Sequence, residues 1–384
     1  MDLDTVIARA RSVAAEVLGP QARSVDEEGR WPEPGIRALQ DTRLTALTIP
    51  EDQVGLGYGL LALARVCEEL GRECASTSIC FGMHAVATSV IAAKATSTQQ
   101  SQLLRSIAEG KHITSLALSE PGTGTHFYYP QTKLSLNENA NLVLSGTKCF
   151  VTNGGYANSY VVSTVSADPD APPGHFSCVV LPAGTKGMQW GPSWSGVGMR
   201  GNSSRSLELN DVQIPRANLL GNEGDQIWYV FNVITPYFLV AMAGTYLGVA
   251  SAALDEARKN VKERRHRHSG ASLADNQVIQ HRLGSIWANV ERTRALLYLA
   301  ASKGDTGDPD ALLGLFSAKA EVAECAVGVV GDAMTLSGGR GYRDGSTLHR
   351  MLRDVQASHI MAPATDTLRT WTGRALLSLP ILSE

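Results

Sequence analysis

Twice along its length this chain switches between two incompatible hydrophobic periods, and the switches restrict the folds open to it. Up to about residue 111, apolar residues recur at helical spacing, as in Leu60-Leu61-Ala62-Leu63-Ala64-Arg65-Val66-Cys67-Glu68-Glu69-Leu70, where residues three and four apart share one face. From Ile113 to about Leu220 the runs become short, alternating and β-branched, as in Leu142-Val143-Leu144-Ser145-Gly146-Thr147 and Tyr160-Val161-Val162-Ser163-Thr164-Val165. Asn, Gly and Pro separate these runs and no helical period intervenes, which points to an antiparallel sandwich or barrel. From Gln226 onward, Ala- and Leu-rich helical periods return, interrupted by a loop from Gly304 to Pro309. The fold class is α+β in three segments: helical over 1–111, β over 112–222 and helical again over 223–384.

With 384 residues, 43% of them hydrophobic and 18% charged, the chain can bury a large core shared by two or three subdomains. A net charge of -3 gives no broad basic field, so neither nucleic acid nor an anionic membrane is an expected partner. Cys67, Cys74, Cys80, Cys149, Cys178 and Cys325 form no C-x-x-C spacing, and a reduced, cytoplasmic setting is expected. The opening residues carry Asp2 and Asp4 rather than a basic stretch, so no secretory signal is expected. No apolar run is read as long enough to span a bilayer. The richest, Tyr237 to Ala253, is broken by Gly244 and Gly248 and reads as a buried helix.

Several phrases, taken in order and spacing, resemble the acyl-CoA dehydrogenase superfamily. They are Ile49-Pro50-Glu51-Asp52-Gln53-Val54-Gly55-Leu56-Gly57, Leu118-Ser119-Glu120-Pro121-Gly122-Thr123-Gly124-Thr125, Gly146-Thr147-Lys148-Cys149-Phe150-Val151-Thr152-Asn153-Gly154-Gly155, Gly198-Met199-Arg200-Gly201, Asp211-Val212-Gln213-Ile214-Pro215, Gly338-Gly339-Arg340-Gly341-Tyr342 and Arg353-Asp354. The resemblance implies an N-terminal helical domain, a middle β-barrel or sandwich domain and a C-terminal four-helix bundle. It also implies FAD held between the β domain and helices of two subunits, in a homotetramer or homodimer.

The residues themselves suit a flavin. Glycines in the turn at Gly122 and Gly124 let backbone approach a flat ring, while Leu118, Ser119 and Thr125 flank it with amides and hydroxyls. Strand alternation puts Phe150 and Thr152 on one face, an aromatic surface beside a hydroxyl. The family usually has Trp at the position of Phe150, so the aromatic face is kept and the indole donor lost. Gly338-Gly339 follows no strand and is not a dinucleotide fingerprint; the resemblance makes it a helix end that meets the cofactor of a neighbouring subunit. In Lys262-Glu263-Arg264-Arg265-His266-Arg267-His268 the resemblance implies a contact to the flavin pyrophosphate. Ungapped comparison through Gln277 puts His266 there, and Arg264, Arg265 or Arg267 can reach with a small local shift; any of them can make charge-assisted bonds to phosphate. His266 and His268 have no third ligand in view, so no metal centre is expected.

One expected residue is missing. The resemblance puts the glutamate that removes the substrate α-proton at Ala362, or in a subset of relatives at Phe238, and neither side chain accepts a proton. The family Arg and Asp that anchor the thioester arm fall at Leu239 and Pro236. Three groups can take the base's place: Asp366, one helical turn beyond Ala362 and equally a first-turn acid; His126, next to Thr125; and His84, also readable as a satisfied core histidine. The resemblance therefore implies a FAD-dependent oxidoreductase acting on an acyl thioester, on CoA or on an acyl or peptidyl carrier protein, with an electron-transfer flavoprotein or oxygen as acceptor. Two alternatives stand beside it: a flavin-dependent monooxygenase acting on a small molecule, and a non-redox protein that keeps the fold.

Overall fold

The computed structural model of the chain describes residues 2–382. Met1, Ser383 and Glu384, at the outer edges of the first and third segments read from sequence, lie outside the described residues. The N-terminal helices are α1 (Leu3–Val13), α2 (Gly19–Glu27), α3 (Glu33–Asp41), α4 (Leu60–Glu73) and α5 (Ala75–Ala93). Asp2 starts the first of them, its carboxylate accepting from the Thr5 N–H, one of the amides a helix start leaves unpaired. Every residue of α5 from Ala75 to Ile91 is buried, as expected of a helix that is apolar on all sides. This corrects the reading of apolar length. Both α5 and the stretch Gln226–Glu263 are long and apolar enough to cross a bilayer, yet 94% and 78% of their most apolar windows are covered by the protein itself.

The middle of the chain supplies β1 (Thr114–Ala117), β2 (Lys133–Leu136), β3 (Leu142–Val151), β4 (Ser159–Ser166), β5 (Phe176–Pro182), β6 (Met188–Trp190), β7 (Arg205–Ile214) and β8 (Leu219–Leu220). They form one eight-stranded sheet in the order β6-β7-β3-β2-β4-β5-β8, with β1 also paired to β4. The expectation of a purely antiparallel sheet is corrected here. Thr114 pairs with Ser159 and Lys133 with Val165 in parallel register, because the β2–β3 hairpin separates β1 from β4 along the chain and β3 separates β2 from β4, each supplying the long crossover that parallel strands need.

Helices return as α6 (Thr235–Glu263), α7 (Gln277–Asp305), α8 (Ala311–Ser337), α9 (Thr347–Val355) and α10 (Thr365–Leu376). The carboxylate of Asp305, closing α7, accepts from the Leu60 and Leu61 N–H groups at 2.5 and 3.0 Å and so caps α4 from another domain. Helices α4 and α6 touch backbone to backbone. A Cβ on Gly244 or Gly248 would fall inside the contact distance of the Ala64 or Glu68 carbonyl, and one on Gly71 inside that of Thr245. Gly248→Ala is therefore expected to destabilise by about 1–3 kcal/mol, the usual cost of overpacking. Gly284→Ala, with open space around its Cβ position, is expected to change stability little; comparing the two by denaturant unfolding checks this.

Candidate functional site

Between the sheet and the start of α6 lies a cavity of about 510 Å³. Leu118, Ser119, Gly124, Phe150 and Thr152 all line it, and so do Ala362 and Phe238. Residues that sequence put in separate phrases thus share one wall.

The Leu118–Thr125 turn is held from behind by a buried ion pair. The Glu120 carboxylate meets the Lys148 ammonium and also accepts from Gln131 N–H at 2.6 Å, Thr132 N–H at 3.1 Å and Thr132 Oγ1 at 2.8 Å. Lys148 Nζ donates further to the Ser163 carbonyl at 2.6 Å and to the Leu118 carbonyl at 3.4 Å. Burial pulls the Lys148 pKa down and the charge of Glu120 opposes it; each group compensates the other where an unpaired charge would be costly. On the cavity side the turn is bare. Gly122 and Gly124 have positive φ, and a Cβ on either would meet nothing within 4 Å.

Phe150 sits at φ 54, where β3 and β7 slip register between Lys148 and Val151. The residue is 66% exposed. Beyond it, Asn153 ties the end of the strand to the helical domain, donating to the Cys80 carbonyl and accepting from Trp31 Nε1. The Gly198-Met199 and Arg353-Asp354 phrases also meet: Met199 N–H donates to Asp354 Oδ1 at 2.6 Å. Burial pushes that carboxyl up to about 6.

Ala362 is fixed by a residue that sequence reasoning missed. Lys319, in the apolar stretch of α8 and only 2% exposed, donates to the Met361 carbonyl at 3.2 Å and the Pro363 carbonyl at 3.0 Å. Tyr246 OH donates to Met361 Sδ at 3.3 Å. A single lysine among Phe316, Ala318, Ala320 and Val322 was the available signal, since a buried ammonium needs partners. Burial pulls its pKa down to about 8 from 10.5. Between those values the unfolded chain binds the proton more readily, so this lysine's contribution to stability rises with pH, by about 3 kcal/mol in all. We expect the melting temperature of wild type relative to Lys319→Met to climb from pH 8 to pH 10; a constant difference would contradict this.

The three replacement bases do not reach the cavity. Of the two readings of His84 the structure has the core histidine: it is 1% exposed, Nδ1 accepts from Thr114 N–H at 3.1 Å, and Nε2 therefore donates to the Thr45 carbonyl at 2.9 Å. Its pKa is lowered to about 4 by burial. His126 is exposed, with Nδ1 2.8 Å from Tyr128 OH. Asp366 is exposed in the first turn of α10. Thr125 lies beside the cavity wall and shares a 3.0 Å hydrogen bond with Thr367. Among the described lining residues only Glu120 and Cys149 titrate. The first is fully engaged, and burial pushes the thiol of the second up, so neither is free to take a proton.

A second cluster stands apart. Helix α8 ends at Gly338, φ 60, and a Cβ there would lie 3.2 Å from Arg264 Nη1. His266 is in the exposed hairpin that follows α6, its N–H donating to the Ala271 carbonyl, and Gln277 opens α7. Of Arg264, His266, Gln277, Gly338 and Gly339, none lines the cavity.

A helical domain, a mixed sheet and a helical bundle around an open aromatic cradle are the architecture of a flavin-dependent oxidoreductase. The acyl-CoA dehydrogenase N-terminal, middle and C-terminal domain families match residues 2–111, 115–212 and 237–377, and the chain belongs to the acyl-CoA dehydrogenase family, whose members are FAD-dependent enzymes. It is 30% identical over 372 residues to cyclohex-1-ene-1-carbonyl-CoA dehydrogenase of Geobacter metallireducens, covering 96% of each chain. Butyryl-CoA dehydrogenase from Megasphaera elsdenii superposes with a TM-score of 0.92 at 26% identity, over 98% of this chain and all of that one. A chain solved in work on the electron transferring flavoprotein of Acidaminococcus fermentans gives the same TM-score at 27% identity and the same coverage.

The residues present fit the family's cofactor: the open glycine turn, the exposed ring of Phe150 and the hydroxyls of Ser119 and Thr152 supply what a flat heterocycle with polar edges requires.

Proposed function

We propose that the protein oxidises acyl thioesters with FAD and without a protein carboxylate placed to take the α-proton. One observation carries this reading: a single cavity joins the phrases that resemble flavin contacts to Ala362 and Phe238, where the resemblance puts the base, and among the described lining residues none is free to accept a proton. When bound, FAD supplies the acceptor for the hydride leaving the substrate β-carbon. Leu118, Ser119, Gly124 and Thr125 would hold its ring heteroatoms, Thr152 would add a hydroxyl, and Phe150 would cover a face. Arg264, His266, Gln277, Gly338 and Gly339 would meet the pyrophosphate end in a neighbouring subunit. Exposed Trp287 and Val278 on α7 support a homo-oligomer, as a tetramer or dimer.

Ile79, Met83, Phe238 and Met242 make the inner wall apolar, which suits an uncharged acyl group. Leu239 and Pro236 offer no charge to a CoA arm, so a carrier-protein thioester suits the site as well as the CoA thioesters named for the relatives. Proton loss then depends on the acidity of the substrate and on solvent. Electron-transfer flavoprotein or oxygen would take the electrons. The base-free wall also suits a flavin monooxygenase, which needs no α-proton acceptor. Purified protein should carry FAD close to one per chain, and anaerobic addition of CoA or carrier-protein thioesters should bleach it. Hydroxylated product from NADH, a flavin reductase and oxygen, without bleaching by thioesters, would favour the monooxygenase; protein unable to take up FAD would sink both.

A further inference from the structure

We infer that Trp194 is a flavin-binding residue, forming with Phe150 a right-angled aromatic corner that grips the face and the edge of the isoalloxazine ring. This rests on the flavin reading above and adds a residue to it. Both rings line the cavity. Their centroids are 6.2 Å apart and their planes meet at 82°. A flat ligand stacked on one ring therefore presents its edge to the other, and these are the two arrangements that aromatic pairs favour.

The corner is built before any ligand arrives. Trp194 lies in the loop between β6 and β7, where its Nε1 donates to the Gly198 carbonyl at 3.4 Å. A Cβ on Gly196 would run into the indole ring, so that glycine lets the loop lie directly against it. Phe150 holds a positive φ, an uncommon conformation for a bulky aromatic, and is mostly exposed. A strained residue that exposes apolar surface beside a locked indole is what a preformed ligand contact looks like.

Apoprotein of wild type, Trp194→Phe and Trp194→Ala, each checked for an unchanged melting temperature, is titrated with FAD. Tryptophan fluorescence and the visible circular dichroism of the flavin are followed. We expect Trp194→Ala to weaken FAD binding about three- to tenfold and to alter the flavin dichroism. Trp194→Phe should keep most of the affinity while losing part of the fluorescence quenching seen in wild type. If wild type binds FAD and Trp194→Ala binds it equally well with the same dichroism, the inference is wrong while the flavin reading stands. If wild type binds no FAD, the flavin reading itself fails. Loss of thioester affinity alone, with FAD binding intact, would assign the corner to the substrate and also overturn the inference.

Discussion

Ala362→Glu should accelerate anaerobic flavin reduction by an acyl thioester by about 10²- to 10⁴-fold, the usual worth of a positioned general base. The backbone on both sides of this residue is pinned by Lys319, and the alanine already lines the cavity. A longer side chain here extends from a fixed base into the space where substrate and flavin would meet. Apolar neighbours such as Phe238 and Met242 would raise the pKa of the new carboxylate toward neutrality, where a base is most effective. Ala362→Gln has nearly the same shape and cannot take a proton, so it should leave the rate at the wild-type level or below. Equal rates for wild type, Ala362→Glu and Ala362→Gln would mean that proton removal is not what limits this enzyme.

The second large effect concerns the ion pair behind the flavin turn. Glu120→Gln or Lys148→Met is expected to cost about 3–5 kcal/mol, because each leaves an uncompensated charge in a site closed to water. Glu120 also receives the Gln131 and Thr132 groups, so its loss should loosen the turn and lower the FAD retained on purification. The double variant should be less damaging than the sum of the two single ones, since each single change strands the other member of the pair and the double change strands neither. Denaturant unfolding of the four proteins tests this, and strict additivity would show that the pair does not act as a unit.

The helix–sheet–helix order was legible because hydrophobic period is a local property: α4 and β4 carry their patterns in ten or so residues. The parallel pairing of β1 with β4 was not, since it depends on where the β2–β3 hairpin lies, and no window of sequence contains that. The bilayer-length apolar character of α5 was not legible because its Ser and Thr residues read as polar, whereas Ser89 turns its hydroxyl onto the Ala85 carbonyl within the helix. Motif spacing put Phe150, Thr152 and Ala362 in the candidate site, and all three line one cavity. For His84 the sequence left a base and a core histidine both open, because whether a histidine is satisfied depends on the carbonyl of Thr45 and the amide of Thr114, which come from distant segments. Lys319 and Trp194 lie in no shared phrase, and only packing shows what they touch.

The most direct measurement is the pH dependence of anaerobic flavin reduction by a saturating acyl thioester, in wild type and in Ala362→Glu. Carboxylates and imidazoles that act as bases titrate between about pH 4 and pH 7 when unperturbed; burial moves carboxylates higher and imidazoles lower. We expect no titration step in wild type from about pH 5 to pH 8, and a sigmoidal step in Ala362→Glu. A clear step in wild type, with a plateau at higher pH, would show that a protein base is already at work and would contradict the central claim.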